Sequence, residues 1–156
     1  MSTLNSIDYS DLISWTAYHK YGVLLNKTQM QKLLFMCYGW YIAATGKPLF
    51  TDDTPKAWPF GPVFPRVNKR FIPGVPPKGF SEEKKREFLN DHTSMGIVIK
   101  IVEKYHNVSA HDLSEWSHQE GGPWHQTIYG KDEKNTSIKW NQIISDEIIK
   151  DYFKKQ

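Results

Sequence analysis

Apolar residues recur every three or four positions along much of the chain, which is the spacing of helices with a buried face. The first such stretch is 8–21, with Leu12, Trp15 and Tyr18 on one side. The second, 28–45, is apolar nearly all round. Its apolar residues are Met30, Leu33, Leu34, Phe35, Cys37, Tyr38, Trp40, Tyr41, Ile42 and Ala44. A helix of that kind is enclosed by others, so we expect 28–45 at the centre of the fold.

The boundaries of these two helices carry capping signals. Asp8 or Ser10 is suited to begin the first helix. Thr28 and Gln31 have the spacing of a capping box, in which each side chain bonds to the other's backbone. Gly46 then follows as the residue that ends the second helix.

The remainder of the chain predicts shorter helices joined by loops. The predicted helices are 62–71, 81–105 with a kink near Gly96, 109–117, 124–129 and 143–153. Prolines and glycines make 72–80 a loop, and 131–139 is a polar linker. The turn-rich stretch 49–58 is either extended or a short β-hairpin. These features predict an all-α, compact single domain over 1–156, with five to seven helices packed as an orthogonal cluster.

The segment 55–66, PKAWPFGPVFPR, has neither helical nor strand periodicity. Pro59 and Pro62 fix the backbone, and Gly61 can adopt angles that other residues avoid. We expect a rigid connection that buries Trp58 in the core as its anchor. The alternative is that part of the segment is a recognition surface.

Composition narrows the class of protein. The chain has 156 residues, a formal charge of +3 and one cysteine, and it is rich in aromatic residues. No run of apolar residues is long enough to span a membrane, and the first residues lack a signal-peptide pattern. We therefore expect a cytoplasmic protein without membrane contact, in which Cys37 is a buried, reduced thiol.

Two E-x-x-H pairs, Glu103 with His106 and Glu115 with His118, are the best candidates for metal ligands. A carboxylate-bridged two-metal site also needs an inward glutamate on each of two further helices. Glu82, Glu83 and Glu87 do not meet this need, because they lie in the first turns of a predicted helix, where acidic residues are favourable without a metal. We expect no metal site.

The sequence contains no clear motif for nucleophilic catalysis or for nucleic-acid binding. Ser114 and Ser117 lie near His118 without a nucleophile-elbow motif, and no phosphate-binding glycine pattern occurs. The prediction is a protein that is not an enzyme and carries no cofactor. Basic clusters such as Arg66 to Arg70 leave DNA binding open without favouring it. Binding to another protein is favoured by aromatic residues on proline-stiffened loops, namely Trp58, Phe60, Trp124 and Tyr129.

Four ordered motifs resemble one known family, the Panacea antitoxin domain of SocA-like and GepA-like proteins. They are a Q-K-L-L helix with G-W-Y, a G-x-P-L-F exit, an A-W-x-x-G-P-V segment, and L-S-x-x-x-H before P-W. The residues that carry them are Gln31, Lys32, Leu33, Leu34, Gly39, Trp40, Tyr41, Gly46, Pro48, Leu49, Phe50, Ala57, Trp58, Gly61, Pro62, Val63, Leu113, Ser114, His118, Pro123 and Trp124. The resemblance covers roughly residues 8–153.

The resemblance implies a helical antitoxin of a bacterial or phage toxin–antitoxin system, which neutralises a cognate toxin by direct binding. It also implies two alternatives. One is a proteolytic adaptor that delivers the toxin to a protease such as an AAA+ unfoldase–protease, and the other is a DNA-binding autorepressor. No cofactor and no catalytic residue is implied.

We expect the motif residues to build a common scaffold. In this hypothesis Trp58 holds its segment to the central helix, and the His118 ring bonds to backbone around Gly121. Toxin choice is then expected in the loop 72–80, in 125–140 and on the helix 62–71. The candidate partner-binding residues are Phe60, Arg66, Arg70, Phe80, His125 and Tyr129.

Overall fold

The computed structural model describes residues 4–130 and 138–156, which form eight helices and three short strands. The elements are α1 Ser6–Tyr21, α2 Lys27–Thr45, β1 Lys56–Trp58, β2 Gly61–Val63, α3 Pro65–Arg70, α4 Glu82–Asn90, α5 His92–Tyr105, α6 Ala110–Ser117, α7 Pro123–Tyr129, β3 Gln142–Ile143 and α8 Asp146–Lys154. The predicted helical fold class is confirmed. The described residues hold one helix more than expected, because 81–105 is two helices. They are divided at Asp91, which caps the second of them, and not at Gly96.

Helix α2 is the centre of the fold, as its apolar pattern predicts. It packs against α1, α3, α5, α6, α8 and β2. Its buried residues include two polar ones, Gln31 and Lys32, besides the expected apolar side chains. Burying polar groups is unfavourable unless they find hydrogen-bond partners, so these two residues mark the place where α2 does more than fill the core.

Both predicted N-caps are wrong by a few residues. Helix α2 begins after Asn26, whose side chain accepts from the Gln29 amide while the Gln29 side chain accepts from the Asn26 amide. Helix α1 begins after Asn5 and uses Asp8 as the returning side chain of its capping box. Asparagine is at least as good an N-cap as threonine, so the earlier residue takes that place and Gln31 is free for another role.

The three strands form a small antiparallel sheet in the order β2-β1-β3. The hairpin lies later than the predicted 49–58, because its turn is at 59–60, and so the predicted helix 62–71 begins only at Pro65. Strand β3 comes from the far end of the chain and pairs with β1. It ends at Ile143, the first residue of the predicted helix 143–153, and that helix starts at Asp146 instead.

Helix α8 closes the core over α2 by inserting the ring of Phe153. A Cβ atom added at Gly39 would collide with that ring, so glycine is required there by close packing. The Phe153 ring also meets Phe35 and Trp40 edge-on, with centroids 6.0 and 5.4 Å apart. The absence of a side chain at Gly39 thus allows the last helix to lie directly on the central one.

The remaining predictions concern loops, the cysteine and the membrane. Residues 72–80 contain no helix or strand, as expected, and most of the predicted linker 131–139 lies outside the described residues. Cys37 is buried, and burial raises the pKa of its thiol well above the usual range. No helix among the described residues is both long enough and apolar enough to cross a membrane.

Candidate functional site

The outer edge of the hairpin is covered by side chains of α2 instead of a fourth strand. Gln31 binds the backbone of Phe64, just after β2, on both sides: its Oε1 accepts from the Phe64 N–H at 2.8 Å, and its Nε2 donates to the Phe64 carbonyl at 3.2 Å. A carboxamide has the same donor and acceptor as a peptide group. Gln31 therefore satisfies the edge as a neighbouring strand would.

Lys32 continues the same row of contacts along β2. Its Nζ donates to the carbonyl oxygens of Phe60 at 2.9 Å and Pro62 at 3.2 Å. The side chain is 1% exposed, and no carboxylate among the described residues forms an ion pair with it. Burial lowers the pKa of the Lys32 ammonium to about 8. Pro62 suits this edge, because it has no N–H that would need an acceptor there.

At Gly61 the hairpin lies close to side chains of both α2 and α6. The φ of Gly61 is +109°, and an added Cβ would lie 2.6 Å from the Ser117 Oγ and 2.9 Å from the Lys32 Nζ. Both the backbone angle and the lack of space exclude a side chain. The adjacent motif residues Lys32, Gly61 and Pro62 are therefore parts of one contact between the central helix and the hairpin.

His118 and Trp124 hold the other side of the hairpin. The His118 ring places Nδ1 2.6 Å from the Ser114 carbonyl oxygen and Nε2 3.0 Å from that of Pro59, in the hairpin turn. The indole N–H of Trp124 donates to the Trp58 carbonyl at 2.7 Å, and the ring lies against His118. The hypothesis that His118 bonds to backbone around Gly121 is wrong, because its ring reaches across to the hairpin instead.

Trp58 does not anchor the segment in the core, contrary to expectation. Its side chain is half-buried, and its indole N–H donates to the Asn141 side-chain oxygen at 2.9 Å. Asn141 has a φ of +67°, which asparagine tolerates better than most residues, and its backbone N–H bonds to Ala57. The buried tryptophan is Trp124, which is 6% exposed. Trp58 therefore joins β1 to the chain before β3 at the surface.

Four large apolar side chains remain exposed or half-exposed around this sheet, and we call them the aromatic surface: Trp58, Phe60, Trp140 and Ile143. Phe60 forms the tip of the hairpin turn and is 73% exposed. Trp140 is 46% exposed and stacks on Trp124 with centroids 6.3 Å apart. Ile143 is 61% exposed and lies opposite Lys56 in the sheet, so its side chain shares a face with Lys56 and, two residues on, with Trp58.

Sequence reasoning identified Trp58 and Phe60 but missed Trp140 and Ile143. Trp140 stands next to the polar linker without an apolar pattern around it, and the apolar spacing of 143–153 places Ile143 in a helix. The signal for Ile143 is the cap: Ser145 bonds to the Ile148 amide, so the helix begins after Ser145 and Ile143 precedes it.

The other motif residues fill the scaffold. Leu33 and Leu113 are buried in the core. Trp40 and Tyr41 are half-buried on α2, and Trp40 meets Phe153 edge-on. Pro48 is also half-buried, whereas Pro62 and Pro123 are buried, and the Ser114 carbonyl accepts from the Ser117 hydroxyl.

The candidate partner-binding residues differ in how free they are. Arg66 pairs with Asp52 at 3.1 Å, and Arg70 is exposed. Phe80 is half-buried, edge-on to Phe88. His125 and Tyr129 are half-buried with their rings 4.7 Å apart. Of this set, Phe60 alone lies in the aromatic surface.

The candidate metal ligands are used otherwise. His106 stacks on Tyr21 with centroids 3.8 Å apart, and its Nδ1 lies within hydrogen-bond distance of the Val102 and Glu103 carbonyl oxygens. Among the described residues, three ligand-type side chains converge at His111, Asp112 and Glu115, all exposed. The Nε2 atom of His111 lies 3.1 Å from the Glu115 carboxylate across one helical turn, which is an ordinary side-chain contact on a helix surface.

Comparison with known proteins gives one family and one curated relative. The family model for "Antitoxin SocA-like, Panacea domain" matches residues 30–125. That range contains Gln31, Lys32, the hairpin and His118. A protein named antitoxin SocA, from Caulobacter vibrioides (strain NA1000 / CB15N), is 28% identical over an alignment of length 142. The match covers 85% of this chain and 73% of the relative. No solved structure matches the chain.

Proposed function

Because the chain belongs to the SocA-like antitoxin family with a Panacea domain, we propose that it neutralises a cognate toxin by binding it directly through the aromatic surface. The family supports an antitoxin role in general. The observation that carries the specific proposal is the exposure of Phe60, Trp140 and Ile143 around one small sheet. Clustered exposed apolar side chains mark interaction sites in soluble proteins.

The construction beneath this surface supports the proposal. Lys32, His118 and Trp124 each donate to, or contact, a carbonyl oxygen of residues 58–62. The hairpin turn is therefore fixed from two sides before any partner arrives. A rigid loop loses little conformational entropy on binding, so its contacts contribute more fully to affinity. Large aromatic residues on such a loop are typical binding hot spots.

The test is neutralisation with purified components. The probe is the product of the adjacent reading frame, provided that it is lethal when expressed alone and tolerated together with this chain. We expect a stable complex and loss of toxin activity without any protease. Phe60→Ala should weaken binding about tenfold or more. Leu89→Ala is the matched control, because Leu89 is 63% exposed on α4, outside the aromatic surface, and it should leave affinity within about twofold.

Three outcomes would contradict the proposal. If toxin activity in vitro is unaffected but toxin lifetime in cells falls when this chain is present, the protein acts as a proteolytic adaptor. If the chain binds its own promoter at physiological salt and does not bind the toxin, it acts as a repressor. Equal loss of affinity in Phe60→Ala and Leu89→Ala would place the interface elsewhere.

A further inference from the structure

A second surface, built by elements other than the sheet, lies between α2 and α5. It is an open groove of about 360 Å³. The wall on α2 is formed by Trp40 and Ala44, and the wall on α5 by Ile97, Ile101 and Tyr105. These lining residues are apolar or aromatic, so the groove can bury apolar side chains of a ligand.

Two lysines stand on one rim of this groove. Lys100 and Lys104 line it and are one helical turn apart on α5. Neither forms an ion pair with an acidic residue of the described chain. Lys104 lies over the Tyr105 ring, 5.4 Å from its centroid. Helical spacing places Glu103 on the far side of the lysines from the groove, so the rim facing a ligand is positive.

From this charge and shape we propose that the groove docks an acidic amphipathic helix of a partner protein. Apolar residues at helical spacing would enter between Trp40 and Ile97, as in other helix-in-groove complexes. Aspartate or glutamate side chains one turn apart on the ligand would then meet Lys100 and Lys104. This proposal is independent of the aromatic surface, because the two surfaces share no residue.

The experiment selects ligands without assuming the partner. A display library of random peptides of about 15 residues, long enough for a few helical turns, is selected against the intact protein. Binders are then measured on the double variant Lys100→Glu/Lys104→Glu. The control is Lys154→Glu/Lys155→Glu, which makes the same change in charge on exposed residues at the end of α8, outside the groove.

We expect the selected peptides to carry apolar residues three and four apart, flanked by acids. They should shift the methyl resonances of Ile97 and Ile101. The groove variant should bind them about tenfold more weakly or worse, since two ion pairs change from attraction to repulsion, and the control should bind within about twofold. Peptides without acidic preference, equal binding by both double variants, or methyl resonances that do not move would overturn the proposal. So would a DNA duplex that moves those resonances when acidic peptides do not.

Discussion

Lys32 is the residue on which the scaffold depends most directly. Its ammonium lies in the interior, where it donates to the carbonyl oxygens of Phe60, in the hairpin turn, and Pro62, in β2. Burial is the cause that lowers its pKa to about 8, below the usual value of 10.5. A lysine that holds backbone carbonyls instead of a carboxylate makes the fold sensitive to pH in an uncommon direction.

Raising the pH from about 7 to about 9 should stabilise the protein. The folded-state pKa of Lys32 is below that of the unfolded chain, so in this interval the unfolded chain binds more protons and stability rises with pH. The expected gain is about 1 kcal/mol in the free energy of unfolding. Urea titrations at several pH values measure this gain. The pH range ends near 9 because the tyrosines of the unfolded chain ionise at higher pH. A variant Lys32→Met that gains as much as the wild type would contradict this assignment.

Trp124 holds the hairpin and Trp58 is part of it, so replacing each by alanine should lower the free energy of unfolding by different amounts. Trp124 is buried and donates to the Trp58 carbonyl, whereas Trp58 is half-buried. Trp124→Ala should therefore lower the free energy of unfolding by about 3–5 kcal/mol. Trp58→Ala should cost clearly less. Thermal and urea unfolding of the two variants decide the order, and a larger loss for Trp58→Ala would mean that the core contains Trp58 after all.

At the scale of elements, α2 supplies different chemistry at each contact. It offers polar side chains to the edge of β2 and a bare backbone to α8. The polar side chains replace a missing strand, and the bare backbone at Gly39 leaves room for the Phe153 ring. The central helix therefore makes specific contacts with β2 and α8 in addition to filling the apolar core.

Removing the Gln31 carboxamide should show how much its hydrogen bonds to the Phe64 backbone stabilise the hairpin edge. Gln31→Met keeps the size of the side chain but leaves the buried N–H of Phe64 without an acceptor, while the Phe64 carbonyl keeps the N–H of Asn68 as its donor. We expect the free energy of unfolding to fall by about 1–3 kcal/mol and the amide of Phe64 to exchange its hydrogen faster. Gln126→Met is the control, because the Gln126 amide also binds a backbone carbonyl but is exposed. It should cost under about 0.5 kcal/mol.

Two glycine-to-alanine changes in helices should have opposite signs. Gly39→Ala forces a methyl group into the Phe153 ring and should destabilise the protein by about 1–3 kcal/mol. At Gly96 in α5 an added Cβ meets nothing within 4 Å. Since alanine is the better helix former, Gly96→Ala should stabilise by up to about 1 kcal/mol. Differential scanning calorimetry of both variants tests this, and destabilisation of similar size at both positions would refute the packing account of Gly39.

At the scale of the whole molecule, the sequence predicts the helices better than the sheet. The apolar spacing of 28–45 correctly identifies the central helix. The strands β1 and β2 have three residues each and β3 has two, which is too short for an alternating pattern to be recognised. The pairing of β3 with β1 joins segments far apart in the chain, and local signals do not report it.

The candidate site, like the sheet, could be predicted only in part, because local patterns do not report tertiary contacts. Phe60 is identifiable from the sequence because prolines and a glycine flank it. The burial of Trp124 and the exposure of Trp58 depend on how α7 packs under the hairpin, which is a tertiary contact. The bonding of Lys32 to carbonyl oxygens is hidden too, because a lysine inside an apolar pattern is usually expected to face solvent.

The central claim is that a scaffold fixed by Lys32, His118 and Trp124 presents the aromatic surface to a toxin. Amide hydrogen exchange of this chain, measured free and in complex with the lethal product of the adjacent reading frame, tests it most directly. The account predicts that binding slows exchange at the Phe60 amide in the hairpin turn and in 140–143, and leaves α4 unchanged. Protection confined to other elements, with the turn exchanging as fast as in the free protein, would contradict it.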